Sequence, residues 1–304
     1  MMKHLLTALI ILSCLLLSNG CSHIQNLGRS DHSERSQAES SAPNNAVNIS
    51  DDNLSVSQSK NTDVSETPQK DQIEKGSPMI EQSLSAFPAD GIPVLMYHSI
   101  STIPGNNLGV PVAQFTEEMK WLKSRNYSAL SLEEFYQALI HEKPVPLKPI
   151  LITFDDGYLD NYQDAWPILQ ENGFRATFFI ITDSVGPGMM NWEQIRVLAD
   201  QGNSIGSHTR THPDLTILSS NQLEKELALS KKEIESYVGR NINALCFPSG
   251  NYNDKTLEIM PRLGYKLGFT TKPGKVHLGD KPLALKRVRI PGGMSFDAFK
   301  SLFP

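Results

Sequence analysis

The sequence predicts an α/β domain built on a parallel sheet, open or closed into a barrel, behind a long polar arm. Three observations carry this expectation. Short apolar runs rich in β-forming residues alternate with helical patterns from residue 92 to residue 290. Several runs, Leu151 to Phe154 and Thr177 to Thr182 among them, are apolar almost throughout, as strands covered on both faces must be. The composition also changes near residue 86, dividing the 304 residues into an arm and a globular part.

Taken in order, strands are expected at 92–97, 149–154, 176–182, 203–208, 243–247, 265–271 and 285–290. Between them, helical spacing of apolar residues runs from Phe115 to Arg125, Leu132 to His141, Asn161 to Asn172, Trp192 to Gln201, Asn221 to Tyr237 and Asp254 to Leu263. No internal repeat is present. In such a fold, polar residues just past the C-terminal ends of strands are the site candidates. That criterion selects Tyr97-His98, Asp155-Asp156-Gly157, Ser207-His208 and Pro248-Ser249-Gly250.

The arm has two parts. Residues 1–20 read as a signal peptide: Lys3 gives a positive start, Leu5 to Leu17 form an apolar stretch too short for a membrane span, and small residues precede Cys21. Gly20-Cys21 resembles a bacterial lipoprotein cleavage site, which implies lipidation of Cys21; stable anchoring then needs more than one acyl chain. Residues 22–85 hold no aromatic residue and are crowded with Ser, Asn, Gln, Asp and Glu. Such a stretch cannot bury enough apolar surface to offset its ordering entropy, so a disordered linker over 21–85 is expected. It carries ten acidic and five basic residues, which accounts for the chain's formal charge of −5. The domain over 86–304 is left nearly neutral, which argues against a nucleic-acid surface. Of the three cysteines, Cys14, Cys21 and Cys246, only the last belongs to the domain, so no internal disulfide is expected and Cys246 reads as a buried, inert thiol.

Adjacent carboxylates at the end of an apolar strand repel each other and need a cation or strong donors. A divalent metal would satisfy Asp155-Asp156: one carboxylate ligates and the other serves as a general base. A helix-capping or turn pair is the alternative. His208 and His212 stand at i and i+4, and they would share a face if that segment were helical. Two imidazoles and a carboxylate with open positions make a hydrolytic metal site.

At this point the residues resemble the polysaccharide deacetylases with a NodB-homology domain, carbohydrate esterase family 4. Thr153-Phe154-Asp155-Asp156-Gly157 is similar to that family's first motif, Ser207-His208-Thr209-Arg210-Thr211-His212 to its second, and Phe247-Pro248-Ser249-Gly250-Asn251-Tyr252 to its third. The motifs occur in the family's order and the resemblance extends over roughly 90–300. It implies a distorted (β/α)7 barrel that removes acetyl groups from N-acetylated sugars. Asp155 would be the base, and Asp156, His208 and His212 would hold a divalent metal, zinc first, with cobalt, nickel or iron also suited to such ligands. A backbone N–H near the third motif would stabilise the oxyanion.

The chain departs from the family pattern where Arg often stands two residues before the third-motif proline, since Cys246 is there, and where Ser249 replaces a frequent aromatic. Arg287 resembles an arginine near the C-terminal end of related deacetylases and is the candidate to support the base; a strand-edge charge is the alternative. No late Leu-x-His motif supplies the acid, and His277 reads as a bystander. Val94 to Ser99 resembles the N-terminal motif of deacetylases acting on biofilm poly-β-1,6-N-acetylglucosamine, where the motif order is permuted and the early histidine is the acid. His98 takes that role by resemblance, and its unperturbed pKa near 6.5 suits it. Pro248, Gly250, Tyr252 and Trp192 are the expected substrate contacts. The implied partners are an N-acetylglucosamine polymer, a membrane through the lipid anchor, and other exopolysaccharide-export components, with no nucleic acid.

Overall fold

The computed structural model describes residues 83–303. In chain order the elements are β1 (Leu84–Ser85), β2 (Val94–Tyr97), α1 (Val112–Ser124), β3 (Ser128–Ala129), α2 (Leu132–His141), β4 (Val145–Pro146), β5 (Pro149–Phe154), α3 (Trp166–Glu171), β6 (Thr177–Ile180), α4 (Trp192–Asp200), β7 (Ser204–Ser207), α5 (Ser220–Val238), β8 (Ala244–Cys246), α6 (Asp254–Arg262), β9 (Leu267–Pro273), β10 (Leu285–Arg289) and α7 (Phe296–Lys300). Strands β5 to β10 pair in parallel in sequence order, and β2 closes the ring between β10 and β5. The open-or-closed alternative is thus resolved as a closed seven-stranded parallel barrel, and the expected (β/α)7 architecture holds. Closure leaves no barrel edge unpaired.

Each of the seven expected strands is present, with ends shifted by a few residues at most. The helix expected from Asn161 to Asn172 differs. It opens as a π-helical turn, Asn161–Ala165, and becomes α-helical only at Trp166. The helix α7 was not anticipated. Leu84–Ser85 pairs antiparallel with Val145–Pro146, so the last two residues of the span read as linker form a strand. The signal peptide, Cys21 and the linker up to residue 82 lie outside the described residues. No helix among the described residues is long and apolar enough to cross a membrane.

Two apolar layers hold the barrel. Val94, Leu151, Phe179, Cys246, Leu267, Phe269 and Leu285 form one cluster with Leu132 and Phe135 of α2, whose Leu132 N–H bonds Ser204 Oγ at the start of β7. The other cluster sets Leu95, Tyr97, Ile150, Ile152, Phe154, Phe178 and Leu245 against helical residues such as Phe115, Ile195, Leu227 and Ile259. These are the two faces of continuous apolar strands, separated by the strand period of two.

One buried acid lies in the outer layer. Glu118 of α1 is 1% exposed; it accepts hydrogen bonds from Tyr97 Oη (2.8 Å) and Gln114 Nε2 (2.9 Å). Burial outweighs these donors and lifts its pKa from 4.5 to about 7. Between those values the unfolded chain ionises while the folded one stays protonated, so stability falls as pH rises, by on the order of 3 kcal/mol across that window. Glu118→Gln is therefore expected to raise the melting temperature at pH 8 more than at pH 5. An increment that is the same at both values would contradict this account.

Candidate active site

The site grows from the inward face of β5. Leu151, Thr153 and Asp155 follow the strand period of two, and Asp155 N–H still bonds Tyr97 O (3.0 Å) where the ladder with β2 ends. Asp155 is thereby 2% exposed. Asp156 turns away through a positive φ of 73°, and Gly157 follows at 83°. The two adjacent carboxylates thus diverge into different surroundings.

Arg287 meets the first of them. It is fully buried on β10, where the register against β9 shifts between Leu285 and Arg287. All five guanidinium N–H groups are used. Nη1 bonds Asp155 Oδ1 (2.8 Å) and Thr153 Oγ1 (3.1 Å), Nη2 bonds Asp155 Oδ2 (2.7 Å) and Cys246 Sγ (3.1 Å), and Nε bonds Thr270 O (2.9 Å). Burial alone would raise the Asp155 pKa, but the guanidinium, helped by His208 and His98, holds the carboxyl well below the usual carboxylate range. Cys246 is buried as expected, and its thiol lies beside the ion pair, 3.1 Å from Arg287 Nη2 and 3.5 Å from Asp155 Oδ2. The position where the family often has arginine is thus filled from β10.

Asp156 faces the histidines. Its Oδ1 is 3.3 Å from His208 Nε2 and 3.7 Å from His212 Nε2. The three ligand atoms lie within 4.8 Å of one another, close enough to share one ion. His208 Nδ1 is 2.8 Å from Cys246 O; donating there fixes the tautomer with a free lone pair on Nε2, as a metal ligand requires. Asp155, His208 and Cys246 form a second candidate set. The Arg287 guanidinium bonded to two of its members disfavours a cation there, so the Asp156 set is the better fit.

The segment joining the histidines is not helical, which corrects the i, i+4 reasoning. Thr209 (φ 67°) and His212 (φ 59°) are left-handed, and the turn is held by side chains. Glu226 of α5 accepts from Arg210 N–H (3.0 Å) and Thr211 N–H (2.9 Å), and Thr209 Oγ1 accepts from His212 N–H (3.0 Å). Glu226 was not singled out in the sequence because it belongs to an ordinary charged helix face.

The third motif forms a tight turn at the end of β8. Pro248 is buried, Ser249 has φ 53°, and Gly250 has φ 76° with its Cα against Thr271, leaving no room for a side chain. Gly250 and Asn251 N–H groups bond within the turn, whereas Ser249 N–H has no acceptor among the described residues. Tyr252 stacks on Phe247 (4.8 Å) and accepts from Lys272 Nζ (2.8 Å). Asp156, Thr209, His212 and Ser249 are four of the six non-glycine residues with positive φ among the described ones. Backbone strain concentrates on the loops of this site, as it does at functional sites generally.

His98 follows β2 and points its Nε2 at Asp155 Oδ2, 3.8 Å away, with 16% of its side chain exposed. Burial lowers its pKa, opposed by the charges of Asp155 and Asp156. Tyr158 has its pKa raised by burial and by the nearby carboxylates of Asp156 and Asp160. Trp192 opens α4, and its ring stacks coplanar on Tyr237 of α5 at 4.2 Å. Two residues earlier, Met190 N–H bonds Gly157 O (3.0 Å), beside the carboxylate pair. His277 adjoins Val276, which pairs with Ile92 before β2 begins, at the opposite end of the barrel from the cluster.

Two outcomes follow from this geometry. Glu226→Ala should weaken divalent-metal binding by roughly 10–100-fold, measured by competition with a chelator; unchanged affinity would show that the turn holds itself. Arg287→Ala should cost about 3–5 kcal/mol in denaturant unfolding, because it strands the buried Asp155 charge. A loss below about 1 kcal/mol would contradict that pairing.

Comparison with known proteins gives the family. The polysaccharide deacetylase family pattern matches residues 142–268. YxkH of Bacillus subtilis (strain 168), which carries the polysaccharide deacetylase name without a stated substrate, is 42% identical over 209 residues, covering 68% of this chain and 74% of that protein. A poly-beta-1,6-N-acetyl-D-glucosamine N-deacetylase of Staphylococcus aureus (strain MSSA476) is 31% identical over 215 residues, covering 64% of this chain and 71% of that one. Among solved structures, the Streptococcus pyogenes deacetylase PplD in complex with acetate matches with a TM-score of 0.67 and 33% identity, over 70% of this chain and 99% of that one. With the barrel, the three motifs and these relatives in agreement, the chain belongs to the polysaccharide deacetylase family and is an enzyme acting on N-acetylated polysaccharides.

Proposed function

We propose that this chain is an exported, metal-dependent N-deacetylase whose substrate is a polymer of N-acetylglucosamine, the β-1,6-linked polymer of biofilm matrix. The observation that carries the substrate assignment is His98, which leaves β2 in a motif resembling that of the poly-β-1,6-N-acetylglucosamine deacetylases and faces Asp155. Similarity to the Staphylococcus aureus enzyme supports it. The acetate in the PplD structure is the product that such a reaction releases.

In this reading Asp155, kept ionised by Arg287, accepts a proton from the attacking water. Asp156, His208 and His212 would hold a divalent cation, zinc first, which when bound would supply Lewis-acid polarisation at this site. Ser249 N–H is the free backbone donor for the developing oxyanion. His98 delivers a proton to the departing amine nitrogen. Pro248 and Gly250 shape the turn that presents Ser249, and Tyr252 offers an aromatic edge to a sugar. Trp192 is the weakest of the expected contacts, since Tyr237 occupies one of its faces.

Export rests on residues 1–20 and membrane attachment on Cys21, and residues 21–85 would give the domain reach rather than affinity. A polymer at the membrane surface and other export components are the partners this suits. Diacylated Cys21 at the mature N-terminus is the expected mass-spectrometric result; an unmodified Cys21 would remove the anchor.

The direct test is acetate release from β-1,6- and β-1,4-linked N-acetylglucosamine polymers. Release from the β-1,6 polymer is expected, lost on chelation and restored by zinc, with Asp155→Asn lower by on the order of 10²–10⁴-fold. Faster release from the β-1,4 polymer would overturn the linkage assignment.

A further inference from the structure

The loop that carries the base also grips the loop that carries His98. Backbone pairing between β2 and β5 runs out at Tyr97 and Asp155. Immediately beyond, side chains continue it. Asn161 Nδ2 donates to His98 O (2.7 Å), Asp160 Oδ1 accepts from Ile100 N–H (2.9 Å), and Asp160 Oδ2 accepts from Ser99 Oγ (2.5 Å). Asn161 Nδ2 also bonds Asp160 Oδ1 (3.0 Å), joining the two into one clamp.

Local helix capping does not account for these residues. Asp160 occupies the N-cap position of the π-helical turn yet makes no side-chain bond to that turn's own N–H groups. Its carboxylate is spent entirely on Ser99, Ile100 and Asn161. Asn161 is fully buried and its Oδ1 has no hydrogen-bond partner among the described residues, which costs stability. Single π-helical turns of this kind are frequently found at functional sites.

We propose that Asp160 and Asn161 are positioning residues that set His98 against Asp155, fixing the separation of proton donor and base. The inference rests on His98 as the donor to the leaving amine. Neither residue touches the substrate; they act through the backbone that follows the imidazole, from His98 O to Ile100 N–H. A small misplacement of a reacting group is enough for a large loss of rate, so the effect falls on the step that needs the proton.

The test compares two substrates with different demands. An N-acetylglucosamine oligomer leaves as an amine and needs protonation, whereas an aryl acetate leaves as a phenolate and does not. For the zinc-loaded full chain, Asn161→Ala and Asp160→Ala are expected to lower the ratio of amide to ester turnover by on the order of 10–100-fold, with KM for the oligomer nearly unchanged. Asp160→Asn, which can still accept from Ile100 N–H, should recover most of the ratio. Asp160 is only partly buried, so its variants keep the test informative if Asn161→Ala does not fold. His98→Ala, run alongside, should lower the same ratio. If His98→Ala does so while both clamp variants leave the ratio unchanged or reduce both rates in parallel, the clamp is structural and the proposal falls alone. If His98→Ala leaves the ratio unchanged, His98 is not the donor and both readings fall.

Discussion

The buried pair between Arg287 and Asp155 is the constraint on which the rest of the site depends. A buried ion pair is weak evidence of added stability, because desolvation consumes most of the attraction. What this one does is geometric and electrostatic. Arg287 bonds groups on β5, β8 and β9 while sitting on β10. Those contacts exist only when the sheet is closed on itself, so the barrel and the ionised Asp155 stand or fall together. The pair also keeps the Asp155 carboxylate charged in surroundings that would otherwise protonate it.

Around that pair the molecule separates two jobs that neighbouring residues would otherwise share. Asp155 continues the inward face of β5 and meets the guanidinium. Asp156, one residue on, leaves the strand through a left-handed backbone and meets the histidines. The histidine loop and the third-motif turn adopt the same strained conformation at Thr209, His212 and Ser249. Such conformations persist because the surroundings over-determine them. Glu226 braces one loop from α5, the packed Gly250–Thr271 contact braces another, and the Asp160–Asn161 clamp braces the loop after β2. Asp155, Asp156 and His208 stand just past the ends of rigid strands, and side chains from adjoining elements hold the loops that follow.

Much of the fold was legible because barrel strands are covered on both faces and therefore read as continuous apolar runs; Pro149 to Phe154 was located to the residue. The π-helical turn at Asn161 was not, because apolar spacing over a single turn does not separate a π from an α pattern. The pairing of His208 and His212 was legible from spacing, but through the wrong conformation: a left-handed turn brings their rings to 4.8 Å, where a helix had been the reason to expect it. Trp192 looked like a sugar platform from its glycine-rich flank, and its stacking on Tyr237 could not be anticipated across 45 positions of sequence. Glu226, Asp160 and Asn161 left no signal, since a charged helix residue and an Asp-Asn pair are ordinary in themselves.

By itself the sequence determined the alternation of elements, the family and the candidate site residues, because each is written in local pattern or in short motifs. Asp155-Asp156, His208 and His212 needed no structure to be found. Only the tertiary structure decided which partner each would have. Whether Arg287 is a strand-edge charge or the counter-ion of Asp155 depends on a register shift against β9 and on ring closure, the latter bringing together residues 132 positions apart. Long-range packing, not local preference, selects among such partners: the resemblance already set Asp155 apart from Asp156, but the guanidinium that meets the one and the left-handed backbone that turns the other to the histidines are visible only in the folded barrel.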